Sequence, residues 1–145
     1  MKNITFTTLS LILLATASCK KNESGNKNVI VEEEVSKTIN SNNGKADSSF
    51  SSEKIVKDGT AETRELTQRY VAEDGSSALV TFKNSDKENS ISIRSNNKTI
   101  TVPQKEKTTN GAIYSGNDIE VKSEGDNVTI TQGNAVIELR KAKGQ

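Results

Sequence analysis

The strongest constraint on this chain is a period of two, repeated eight times. From residue 66 onward, short segments alternate apolar and polar side chains, and turn-forming residues cut one from the next: 66–73, 78–83, 90–94, 99–102, 111–114, 118–122, 127–131 and 135–140. Successive side chains of a strand point to opposite faces, so each segment buries one face and wets the other. Within 78–83, Ala78, Val80 and Phe82 share a face against Leu79 and Thr81, and within 90–94 Ile91 and Ile93 oppose Ser and Arg. The inward sets that follow are Ile100 with Val102, then Ile113 or Tyr114, Ile119 with Val121, Val128 with Ile130, and Ala135 with Ile137 and Leu139. Asp74-Gly75, Asn96-Asn97, Ser115-Gly116-Asn117, Glu124-Gly125-Asp126 and Gln132-Gly133-Asn134 supply the turns, because Gly and Asn accept the positive φ of tight hairpins. Pro103 has no N–H and is expected to stop pairing, which leaves 104–110 as a polar loop. Turns every 8–12 residues or so between alternating strands predict an antiparallel barrel or sandwich. Val80, Phe82, Ile91, Ile93, Ile119, Val121, Ile130 and Leu139 are its expected core. A domain of ~80 residues buries only about 60% of its chain surface, so closing the sheet and removing its edges would help it.

The first 63 residues read differently. Lys2 precedes an apolar run through Ile4, Phe6, Leu9 and the stretch 11–15, and the small residues Ala17 and Ser18 lead to Cys19, the single cysteine. This is the layout of a secretory signal over residues 1–18, and the apolar run is shorter than the roughly 20 residues a bilayer span needs. Cysteine directly after such a signal resembles the lipobox of bacterial lipoproteins, with Thr16 where that box usually has leucine. The resemblance implies acylation of Cys19 as the lipid-attachment site and anchoring in a membrane. Residues 19–63 then read as the lipidated cysteine and a flexible polar linker, since Val29, Ile30, Val31 and Phe50 are too sparse among Ser, Asn and charge to offset the entropy of ordering. Residues 64–145 are the folded β domain.

Composition narrows the chemistry. Without Lys2 the chain carries 19 basic and 19 acidic residues, so no field draws nucleic acid, and no basic cluster with interleaved aromatics is present. The chain has no histidine and, with Cys19 acylated, no thiol. That removes Ser-His-Asp and Cys-His catalysis and the commonest ligands of transition metals. No glycine-rich phosphate loop occurs. We expect no cofactor, no metal and no enzymatic activity.

Three islands carry a further reading. Tyr70-Val71-Ala72-Glu73-Asp74-Gly75 is followed by the pair Val80 and Phe82; then come Asn110-Gly111-Ala112-Ile113-Tyr114 and Lys122-Ser123-Glu124-Gly125-Asp126. In order and spacing they resemble the motifs Tyr-x-Cys-x-x-Gly, Ser-Gly-x-x-Tyr and Trp-Ser-Lys-Gly-Asp of the membrane-bound lysozyme inhibitors of c-type lysozyme, small lipoproteins of the bacterial envelope. The resemblance implies an eight-stranded antiparallel barrel. It also implies inhibition of c-type lysozyme, in which the serine and lysine of the last two motifs enter the cleft and bond its paired carboxylates. A hydroxyl and an ammonium are donors suited to paired acids. The matching positions here are Asn110, which keeps an amide donor, and Glu124, which inverts the charge. Ala72 replaces the family cysteine and Lys122 its tryptophan. The implied partner-binding residues are Asn110, Gly111, Tyr114, Lys122, Ser123, Glu124 and Gly125.

Two functions follow as expectations. The first is a lipid-anchored protein of the outer membrane, periplasmic or surface-exposed, that inhibits c-type lysozyme by inserting loops into its cleft. The second is an envelope interaction lipoprotein that uses the same barrel for another partner.

Overall fold

The computed structural model describes residues 29–42 and 45–143. Residues 1–28, which include the expected signal and Cys19, lie outside the described residues. Ten strands follow one another: β1 (Val29–Asn42), β2 (Lys45–Asp58), β3 (Ala61–Ala72), β4 (Ser77–Ser85), β5 (Ser90–Ser95), β6 (Lys98–Thr108), β7 (Gly111–Gly116), β8 (Ile119–Glu124), β9 (Asn127–Gln132) and β10 (Ala135–Lys141). Strands β3 to β10 form a meander in which each pairs antiparallel with its sequence neighbour, and β10 returns to β3 to close an eight-stranded barrel. Eight strands leave an interior just wide enough for side chains to fill. Tyr70, Val80, Ile91, Val102, Val121 and Val128 are each under 2% exposed there, with Ala78, Ile93, Ala112, Tyr114, Ile130 and Leu139 around them. Each large aliphatic among them contributes roughly 1.5–3 kcal/mol by leaving water. Phe82, Ile100 and Ile119 pack against this core while partly buried.

The turns obey local chemistry. Asn96 and Asn97 have φ of 48° and 63°, and Asn117 and Asp118 have 53° and 60°. Two successive positive values define the type I′ turn, whose twist matches that of the strands it joins. Asn117-Asp118, rather than Gly116, therefore carries the turn between β7 and β8.

The strand readings hold, and four details differ. The expected loop 104–110 is mostly strand. Pro103 marks where β6 leaves β5 (Ser90↔Pro103 is the last pair), after which β6 takes β7 as its partner, Gln104↔Tyr114 to Thr108↔Gly111. A bulge at Lys105, between Gln104 and Glu106, absorbs the change. Second, Ala135 and Ile137 keep the inward phase of Leu139 but are not buried: pairing of β10 with β3 ends at Leu139↔Ala72, so 135–138 project past the covering strand and Ile137 is 50% exposed. Third, β3 begins at Ala61, a little before the expected start of the β domain at 64.

The fourth difference concerns the segment read as linker. Its described part, β1 and β2, is a hairpin in unbroken register from Val29↔Asp58 to Asn42↔Lys45. Strand β3 divides one edge between two neighbours. Tyr70, Val71 and Ala72 pair with β10, while Ala61 to Gln68 pair with β2. The hand-over falls at Arg69, whose carbonyl accepts from the Ala142 N–H (2.9 Å) and whose guanidinium donates to the Ser48 carbonyl and to Ser48 Oγ (3.1 Å). Apolar residues are too sparse in this segment to announce strands; the backbone bonds of β1 to β2 and of β2 to β3 place them.

Candidate functional site

Alternating hairpins put two groups of turns at opposite ends of the barrel. One end carries the turns β3–β4, β5–β6, β7–β8 and β9–β10. The other carries β4–β5, β6–β7, β8–β9 and the chain beyond β10. The two motif islands at Asn110 and Glu124 both fall at this second end. They are neighbours there, because β7 and β8 are paired and both turns close on the same side.

Gly111 pairs with Glu124 across the β7–β8 ladder, and the Gly125 N–H donates to the Asn110 carbonyl at 3.2 Å. Gly111 has an ordinary φ, so conformational freedom is not its purpose. A methyl at Gly111 would lie 2.8 Å from the Ser123 carbonyl carbon, 3.2 Å from Glu124 Cα, and overlap the Ser123 oxygen. Two backbones approach so closely here that only glycine fits. Gly125 differs: its φ is 55° and open space surrounds it, so it serves the β8–β9 turn.

Of the seven residues expected to bind a partner, five lie at this edge and two turn inward. Asn110, Gly111, Lys122, Glu124 and Gly125 are exposed. Tyr114 is 5% exposed and Ser123 8%, because their positions alternate onto the barrel interior with Ala112 and Val121. Burial pushes the Tyr114 phenol above its ordinary titration range. These two side chains belong to the packing beneath the site.

Charge at the edge is largely compensated. Lys122 Nζ lies 2.9 Å from Glu124 Oε1, the two being neighbours on the outer face of β8. Both are about half exposed, so the pair contributes little stability, on the order of 0–1 kcal/mol. It does shorten the reach of the Glu124 charge. Lys143 pairs likewise with Asp126 at 3.1 Å, and the Lys141 N–H donates to the Asp126 carbonyl at 2.8 Å. The chain past β10 thus seals the β8–β9 turn, a role for Ala142 and Lys143 that alternation does not reveal. Tyr70, 1% exposed, lies below, and its phenol is raised by burial and then by the negative charge of Asp126.

Thr108, the last residue of β6, sets a buried hydroxyl into this end with no hydrogen-bond partner among the described residues. Exposed donors remain at Lys107, Thr109 and Asn110, at the end of β6 and in the β6–β7 turn.

Comparison with family models, with curated proteins and with solved structures returned no match.

Proposed function

We propose that this chain is a lipid-anchored envelope protein that acts by binding, with the barrel end formed by the β6–β7 and β8–β9 turns as its contact edge and c-type lysozyme as the partner. The observation that carries this reading is the junction of the two islands: the Gly125–Asn110 hydrogen bond and the glycine-only approach of Gly111 to Ser123 fix them as one rigid edge. Rigid backbone supports binding because little entropy is lost on docking. Lys107, Thr109 and Asn110 are the donors that this edge offers to paired carboxylates. Glu124 opposes such a target. At 4 Å and an effective dielectric near 20 a like-charge pair costs roughly 4 kcal/mol, and Lys122 beside it reduces that repulsion.

The test is inhibition of a c-type lysozyme by the wild-type chain and by the double variant Asn110→Ser/Glu124→Lys. Removing the repulsion should tighten inhibition more than tenfold. A wild type that inhibits tightly and is unchanged by the double substitution would show that this edge is not the contact.

The Lys122–Glu124 and Lys143–Asp126 pairs favour one second reading, an envelope interaction protein with another partner, because they leave the edge nearly neutral. Binding of neither the wild type nor the double variant to any lysozyme, with the fold intact, would move the reading there.

A further inference from the structure

Strand β1 ends the sheet. It has β2 on one side and no strand on the other among the described residues, so its outer edge offers a row of backbone donors and acceptors. Fourteen residues long, it contains no proline and runs against β2 without a bulge. Of the devices that usually blunt such an edge, short length, proline, a bulge or charge, β1 has charge alone, in Glu32, Glu33, Glu34 and Lys37. Ile30, Val31 and Val35 are 57%, 54% and 60% exposed along it.

The outer face of the sheet shows what would fit. One row of laterally paired residues crosses four strands: Lys83 on β4, Glu65 on β3, Lys54 on β2 and Glu33 on β1. Lys83 Nζ lies 3.5 Å from Glu65 Oε1 in this row. Charge alternates at every step, and the row stops at the free edge on an acid. Directly opposite charges on adjacent strands stabilise a sheet, so the position beyond Glu33 calls for a cation. Lys37, the one cation of β1, lies four residues along on the same face.

We infer that two copies of this chain pair edge to edge through β1, antiparallel and two-fold symmetric about Val35, so that Glu33 of each copy faces Lys37 of the other. Two-fold pairing of antiparallel strands sets one residue opposite its own copy, and the choice of that residue fixes all other pairs. With Val35 at the centre, Glu33 meets Lys37 twice, Glu34 meets Ser36 and Glu32 meets Thr38. Centres at Glu32, Glu33 or Glu34 put acids against acids. A centre at Ser36 leaves Glu33 without its cation, and one at Lys37 sets two cations together. Val35 is the only centre that sets Glu33 opposite Lys37. That register also covers the exposed Val35 with its own copy, and it consumes both free edges, so assembly stops at two. This surface is distinct from the barrel end proposed to bind a partner, and its test is independent of that proposal.

The test is sedimentation of the full chain in detergent over a range of concentrations, with circular dichroism on each variant to confirm that the sheet is intact. The wild type should dimerise. Lys37→Glu and Glu33→Lys should each weaken the dimer about tenfold or more, since each replaces two attractions by two repulsions. The double swap Glu33→Lys/Lys37→Glu should restore it. In a Cys19→Ser background, Val35→Cys should cross-link to itself on oxidation and Ser36→Cys should not, because a one-residue displacement takes the paired Cα atoms beyond the roughly 7 Å limit of a disulfide. A monomeric wild type, a swap that fails to restore the dimer, or equal cross-linking at 35 and 36 would each overturn the inference.

Discussion

Replacing Gly111 by alanine should damage this protein far more than a methyl group on an exposed residue ordinarily does. The added Cβ would lie 2.8 Å from the Ser123 carbonyl carbon and overlap its oxygen. Carbon atoms rest at about 3.5–4.0 Å, so β7 and β8 must part by the better part of an ångström. Both obstacles are backbone, and no side-chain rotation relieves them. Parting there breaks the ladder bonds around Gly111↔Glu124 and stretches the Gly125–Asn110 hydrogen bond, already 3.2 Å. Two or three such bonds at about 0.5–1.5 kcal/mol each, with some unmet polar groups, give a loss of roughly 2–4 kcal/mol. Set against a typical stability of about 5–15 kcal/mol, that is a large fraction. For a domain of 60–100 residues each kcal/mol lowers Tm by roughly 4–8 °C, so a fall of about 10–30 °C is expected. The control is Gly116→Ala, where a methyl would meet Pro103 Cδ at 3.5 Å and Val102 Cγ1 at 3.7 Å, ordinary contacts, with no positive φ. That variant should match the parent within about 1 kcal/mol, and a small gain is reasonable because glycine loses more entropy on folding. Thermal and urea unfolding of the three proteins, followed by far-ultraviolet circular dichroism, makes the comparison. If Gly111→Ala unfolds together with Gly116→Ala, the close approach of β7 and β8 does not constrain the site and the reasoning fails.

Thr108→Val should stabilise the protein by up to about 1–2 kcal/mol, because it removes a buried hydroxyl without a partner at little change in shape; a loss of stability in urea unfolding would mean that the hydroxyl is bonded. Tyr70 and Tyr114 both have raised phenol pKa values, so the folded state holds their protons more tightly than the unfolded chain. Their contribution is fully present below about pH 10 and is lost as pH climbs through the folded values, and Tyr70→Phe/Tyr114→Phe should therefore flatten the alkaline decline of a Tm-against-pH curve. Asp74 is held below the usual carboxylate range by its hydrogen bonds from Ser76, so its effect has the opposite sense. It is present above the unfolded pKa and is lost as pH falls through the folded one, and Asp74→Asn should remove that acid-side slope.

How much of this was legible in the chain depends on what each strand hides. Strands that bury one face announce themselves: Val80, Ile91, Ile93, Val121, Ile130 and Leu139, expected inside, are inside. Phe82 and Ile119, expected there too, pack against that core while still partly exposed. The second half of β6 was not legible, because Lys105, Glu106 and Lys107 are exposed and the pairing with β7 shows only in the backbone. The same is true of β1 and β2. At the site, the two islands were visible as motifs, and their adjacency follows from hairpin alternation. What Gly111 is for was not visible: turn-forming and close-approach glycines look alike in sequence, and only the position of the Ser123 carbonyl tells them apart. Tyr114 and Ser123 lie on the inward phase of their strands, which a one-residue choice of phase decides. The reading of 111–114 left that choice open between Ile113 and Tyr114.

The divided edge of β3 ties these features together. Closing a barrel normally removes every free edge. Here closure takes only three residue pairs, Leu139↔Ala72 to Lys141↔Tyr70, and the remaining edge of β3, 61–68, needs another cover. Strand β2 supplies it, with Ser51↔Gln68 following directly on the Ala142–Arg69 hydrogen bond. The free edge is thereby carried outward two strands, from β3 to β1. That transfer has two consequences. The barrel end with Asn110 and Glu124 keeps a fully paired frame, stitched to the chain past β10 through Asp126, Lys141 and Lys143. Among the described residues the open backbone is left on β1, beside an alternating row of charge that ends on Glu33. A protein that used its barrel end for one contact would in this way retain a separate, unpaired edge for another, with β3 as the strand common to both.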